Sequence, residues 1–83
     1  MTQKESNTIE AQLHQKEYKA AFQLIVKFFG PMLYAIIFKI VKNHTDTDDI
    51  LQNTFIKVWQ NLPEFNFKSQ IYTWCYTIGK NES

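Results

Sequence analysis

Asp46-Thr47-Asp48-Asp49-Ile50-Leu51-Gln52-Asn53-Thr54-Phe55-Ile56-Lys57-Val58-Trp59-Gln60-Asn61-Leu62-Pro63 is the segment whose reading decides the fold. It opens on carboxylate and hydroxyl side chains, with Thr45 just before it, of the kind that cap a helix N-terminus and complement its dipole. It closes on a proline, which cannot continue a helix. Between these marks, at about 100° per residue, Leu51, Phe55, Val58, Trp59 and Leu62 fall on one side and form a core stripe. A helix over residues 46–62 is therefore expected. Asp49, Gln52, Asn53, Ile56 and Gln60 fall on the opposite side. Such a row is most often a solvated face with one stray apolar residue, since isolated exposed apolar side chains are ordinary. The alternative is a docking stripe for a partner helix, with Ile56 as its apolar anchor.

Upstream, Tyr18, Phe22, Ile25 and Phe29 recur at helical spacing, and so do Leu33, Ile36, Ile37, Ile40 and Val41. Gly30-Pro31 between them predicts a kink or a restart, because proline disfavours helical geometry in the residue before it. Thr8 is placed to cap a short first helix carrying Ile9 and Leu13. Residues 1–7 are polar and are expected to be an unstructured end, leaving residues 8–83 as the domain.

Downstream, Phe65 and Phe67 flank Asn66 in a short loop, and Ser69 is placed to cap a last helix. In that helix Ile71, Trp74, Cys75 and Ile78 form the core face. Ser69, Tyr72, Thr73, Tyr76, Thr77 and Lys80 lie opposite. Two tyrosines one turn apart, with hydroxyls and a lysine, make a surface on which unpaired bases can stack; the same spacing also serves amphipathic packing. One phenylalanine of the loop suits the lid of a small core and the other the wall of a pocket. Asn81 falls beside Trp74, with an amide able to pair with a base edge. The fold class that follows is all-α, a small bundle of about four to five helices.

Composition agrees with this reading. The chain has 83 residues, 45% hydrophobic and 16% aromatic, with only 2 Gly and 2 Pro. Nine lysines, no arginine and eight acids leave a formal net charge of +1, which is too little for a free-standing duplex binder that must neutralise phosphates. A single cysteine excludes an internal disulfide and a cysteine-rich metal site. His14 and His44 lack further ligands at metal spacing, so neither metal nor cofactor is expected. The acids of residues 46–49 read as helix-start chemistry, which speaks against an enzyme. The apolar stretch around residues 31–41 is broken by Lys39 and falls short of the roughly 20 residues a bilayer span needs. No membrane insertion and a cytoplasmic location are expected.

The order of residues carries more than any single pattern. Asp48-Asp49-Ile50-Leu51-Gln52-Asn53-Thr54-Phe55-Ile56-Lys57-Val58-Trp59 resembles region 2.2 of bacterial RNA polymerase sigma factors. Phe65-Asn66-Phe67-Lys68-Ser69-Gln70-Ile71-Tyr72-Thr73-Trp74-Cys75-Tyr76-Thr77-Ile78-Gly79-Lys80-Asn81 is similar to the adjoining regions 2.3 and 2.4 of the extracytoplasmic-function (ECF) group. The likeness extends over residues 18–83. It implies that Asp49 and Gln52, with Asn53, Ile56 and Gln60 beside them, dock on the clamp helices of the polymerase β′ subunit. It implies that the loop and last helix meet the non-template strand of the minus-ten promoter element. Phe65 and Asn81 would help to form a pocket for an extruded base, and Asn66, Phe67, Lys68 and Ser69 would set which base is accepted. Tyr72, Thr73, Tyr76 and Lys80 would line the strand's path. An anti-sigma factor is an implied further partner. The sequence departs from the family pattern at Cys75, where leucine is usual, at Gly79, where alanine is common, and at Asn53, where an acid is common. Absence of the family's second promoter-binding domain implies that the chain is part of a longer protein.

Overall fold

The structure, a computed structural model, describes residues 3–82. It contains α1 (Gln3–His14), α2 (Tyr18–Val41), α3 (His44–Asn61), a 3-10 turn (Leu62–Glu64) and α4 (Ile71–Glu82). No strand occurs among the described residues, so the expected all-α bundle is what forms.

The central element is α2, which packs on the other three helices. Apart from Gly30, its buried residues Ala21, Ile25, Phe29, Leu33 and Ile37 advance strictly by four. Each step of four turns the stripe by about 40°, so different stretches of α2 face different neighbours. Phe29 meets Tyr72 of α4 edge-on, and Phe22 meets Phe55 and Trp59 of α3 in the same manner. Ser6, Ile9 and Leu13 are the buried stripe of α1, and Ile71 and Cys75 that of α4. Burying each large aliphatic side chain of this kind contributes about 1.5–3 kcal/mol.

Several expectations are corrected. The helix α1 begins at Gln3 rather than after a cap at Thr8, whose hydroxyl instead donates back to the Lys4 carbonyl. Residues 3–7 are thus helical, while Met1 and Thr2 lie outside the described residues. The chain does not restart at Pro31, which sits inside one uninterrupted α2. Gly30 makes this possible, because a residue without Cβ avoids the clash that proline imposes on its helical predecessor. Uninterrupted, α2 has 24 residues and is long and apolar enough to cross a membrane by length and composition alone. The apolar run thus extends over residues 18–41 rather than 31–41, and within the domain this helix supplies the core stripe.

Capping also differs in detail. The cap of α3 is Asn43, two residues before Thr45, and its side chain accepts the Asp46 N–H at 2.9 Å. Lys16 after α1 and Lys42 after α2 take left-handed geometry, φ 61° and 55°. At the end of α1 the Glu17 N–H reaches the Gln12 carbonyl and the Lys16 N–H the Leu13 carbonyl, the paired bonds of a Schellman turn.

Two exposed faces and the loop that joins them

The buried axis of α3 is set by Thr47, Thr54 and Val58. Both threonines are fully buried, and their hydroxyls are satisfied within the helix by the Asn43 and Ile50 carbonyls, each at 2.7 Å. With the hydroxyl bonded backwards, a threonine presents a methyl to its neighbour. Thr54 presents it to α4 at Gly79, where a Cβ would stand 3.5 Å from Thr54 Cγ2. This shifts the core stripe from its expected position. Leu51 and Phe55 are half-buried at its edge, and Trp59, expected in the core, is 46% exposed.

Opposite this axis, within about 60° of its reverse, lie Asp49, Gln52, Asn53, Ile56 and Gln60. All five are exposed, Ile56 at 53%. Among the described residues no hydrogen bond ties their side chains to the domain. Trp59 falls between this row and the core. Together with Ile56, Gln60, Phe55 and Phe22 it lines an apolar groove of about 580 Å³ between α2 and α3, with Lys19 at its rim. The groove was not anticipated from the sequence, because it depends on Trp59 being displaced by the buried threonines.

The second face begins in the loop. Phe65 is buried, against Trp74 at 5.3 Å, and is the lid. Phe67 is 37% exposed and touches Phe65 edge-on at 4.8 Å. Its other contact is a parallel stack on the His14 ring, 3.9 Å between centroids and 7° between planes. The Asn66 side chain accepts the Lys68 N–H at 3.1 Å, an Asx turn that holds the loop tip. Both phenylalanines border a small, partly open cavity of about 210 Å³, lined also by Leu13, His14, Lys16, Tyr18, Leu62 and Pro63.

Ser69 does not cap α4. The Gln70 carbonyl accepts the Trp74 N–H, and Glu10 Oε2 of α1 accepts the Ile71 N–H at 3.5 Å. Along α4, Thr73, Lys80 and Asn81 are exposed. Tyr72 and Tyr76 are half-buried rather than opposite the core, their rings tilted and 6.5 Å apart. Burial first, then the neighbouring Tyr76 and Cys75, raises the Tyr72 hydroxyl above the usual phenol range. Asn81 stands seven residues beyond Trp74, about 10 Å along the helix at 1.5 Å per residue. It is not among the residues lining the cavity beside Phe65. Lys57 of α3 pairs with Glu82 and ties the end of α4 to the bundle. Among the described residues no cluster of His, Cys, Asp or Glu is arranged to hold a metal.

The family model of sigma-70 region 2 matches residues 25–83, which takes in α3, the loop, α4 and most of α2 but leaves out α1. The RNA polymerase sigma-H factor of Pseudomonas aeruginosa is 33% identical over 67 residues, 81% of this chain and 35% of that protein. The ECF RNA polymerase sigma factor SigW of Bacillus subtilis is 30% identical over 61 residues, 74% of this chain and 33% of that protein. The ECF RNA polymerase sigma-E factor of Escherichia coli is 33% identical over 67 residues, with 81% and 35% covered. The chain thus spans about a third of the length of the curated relatives it matches. With the order of its motifs, its all-helical bundle and a match over most of its length in agreement, the chain belongs to the sigma-70 region 2 family, in the ECF group.

Proposed function

We propose that this domain docks on the β′ clamp helices of RNA polymerase and reads and melts the minus-ten promoter element during transcription initiation. The observation that carries the proposal is the row Asp49, Gln52, Asn53, Ile56 and Gln60, exposed together and opposite the buried axis of α3. Acid and amide groups beside one apolar anchor suit a partner helix. The groove at Trp59 extends that surface onto α2 and gives it an apolar centre, where interface energy concentrates. An anti-sigma factor would cover the same surface and so compete with polymerase.

The DNA strand would run from the loop along α4, past Asn66, Phe67, Lys68 and Ser69, then Tyr72, Thr73, Tyr76, Lys80 and Asn81. Phe67 is the more exposed ring of the loop and the one a base would meet first, held between its stack on His14 and the buried Phe65. Tyr72 and Tyr76 offer only ring edges and hydroxyls, being half-buried. Extruding a base costs a few kcal/mol, and each stacked base returns about 1–3 kcal/mol. The balance is near zero, so the domain needs polymerase to hold it at the promoter, in keeping with a net charge of only +1.

The test is calorimetric titration of the domain with an isolated β′ clamp-helix fragment, alongside the double variant Asp49→Ala, Gln52→Ala. The expected result is binding by the parent and a loss of tenfold or more in the variant, with an unchanged melting temperature. Equal binding by both would refute the docking role of the row.

A further inference from the structure

We infer that α1 is a positioning element for the base-reading loop and that His14 is the residue that fixes Phe67; this rests on the loop role proposed above. Phe67 has φ 62°, in the left-handed region that a bulky side chain rarely adopts. The Asx turn at Asn66 organises the loop tip but does not choose that geometry for a phenylalanine. Such a conformation persists when surrounding contacts over-determine it. Here the contacts are the edge of Phe65 on one side and the full face of His14 on the other.

His14 is itself firmly placed. It is the last residue of α1, one turn beyond Glu10, and the Schellman turn at Lys16 fixes the chain directly after it. Ile9 and Leu13 anchor the helix in the core. On the same side of α1, four residues before His14, Glu10 takes the first N–H of α4. One face of α1 therefore holds the loop at two points: the ring of Phe67 within it and the backbone of Ile71 where it ends. Neither point lies within the sigma-70 region 2 match on the α1 side, since that match starts at residue 25. The base preference of the loop is accordingly set in part by a helix outside the family pattern.

The consequence can be read in two ways that do not depend on each other. The first is structural: in the parent chain the His14 ring protons are displaced upfield in the NMR spectrum by the ring current of Phe67, and Phe67→Ala abolishes the displacement. Ordinary His14 shifts in the parent would overturn the positioning role. The second is functional: polymerase holoenzyme assembled with the protein is titrated with short single-stranded DNA oligonucleotides that differ at one base. His14→Ala and His14→Leu are expected to lower the discrimination between best and worst oligonucleotide by about three- to tenfold, the equivalent of one aromatic pair. His14→Tyr, which keeps a flat ring, is expected to retain it. Discrimination unchanged in both the Ala and Leu variants would overturn the inference even if the stack is present. Should the parent holoenzyme show no base preference, the reading of the loop falls, while the NMR arm still decides whether His14 holds Phe67.

Discussion

Replacing Gly79 with alanine adds one methyl at the contact between α4 and α3. Gly79 is helical and buried, so the change removes the backbone entropy penalty that glycine brings to a helix, about 0.8–1 kcal/mol in an interior position. Gly79 lies in the last turn of α4, where fraying reduces that gain to about half. The added Cβ would stand 3.5 Å from Thr54 Cγ2, 3.7 Å from Thr54 Oγ1 and 3.8 Å from Ile37 Cδ1. These are ordinary van der Waals separations, so no neighbour has to move, and a buried methyl contributes about 0.8 kcal/mol. The sum is about 1–1.5 kcal/mol of added stability. For a domain of this size that raises the melting temperature by about 4–10 °C, measured by far-UV circular dichroism. Gly30→Ala is the control. Its Cβ would also find room, 3.9 Å from Phe55 Cζ, but Pro31 follows, and its ring penalises a Cβ on a helical predecessor. A smaller gain, or a loss, is expected there. A Gly79→Ala melting temperature at or below the parent would refute the spacing between α3 and α4. Equal gains at both positions would refute the account of Gly30.

Other perturbations test other parts of the fold and surface. Burial pushes the Cys75 thiol from 9.0 to about 12; the folded state therefore keeps its proton where the unfolded chain has lost it. The stability contribution is whole below pH 9 and falls above it by about 1.4 kcal/mol per pH unit until near pH 12. Denaturant titrations of parent and Cys75→Ala should diverge in slope over that window, and parallel slopes would rule out the burial. Lys16→Gly removes a side chain from a left-handed C′ position and is expected to stabilise by about 0.5–1 kcal/mol in thermal melts; no gain would mean that α1 is not closed by this turn. Trp59→Ala is expected to cost about 1 kcal/mol of stability through its edge contact with Phe22. It should weaken binding to the clamp-helix fragment by tenfold or more, and unchanged calorimetry would place the groove outside the interface.

The features legible in the sequence are those that local chemistry dictates. The proline after Leu62 and the acid-rich start fix α3 to within two residues, and apolar spacing finds α2 and α4. What escaped depends on tertiary packing. The first turn of α1 reads as a polar end because its inward-facing residue is Ser6; that Ser6, Ile9 and Leu13 are buried together is a matter of tertiary packing. Pro31 reads as a break because proline alone breaks helices; the pairing with Gly30 and the burial of α2 overrule it. Threonine reads as polar, so the pattern alone omits Thr47 and Thr54 from the core and turns the stripe by about 60° toward Trp59.

The candidate site divides along the same line. The α3 row was legible because the side opposite a helix's buried axis is exposed whatever its function, and moving that axis by about 60°, from between Leu51 and Phe55 to Thr47, leaves Ile56 outside. The loop was not legible to that depth. Which of Phe65 and Phe67 turns inward depends on the backbone geometry at residue 67, and that geometry depends on a ring at His14, far away in the chain. Spacing rules relate residues within one element; they are silent on a contact between the end of one helix and the loop before another. Tyr72 shows the converse. Its spacing placed it opposite the core, yet Phe29 of α2 reaches it at 5.2 Å, because a small bundle has too few layers to leave a large ring wholly in solvent. In a domain of this size, a ring that stays exposed does so against the economics of packing, and Phe67 and Trp59 are where function is most directly exposed to test.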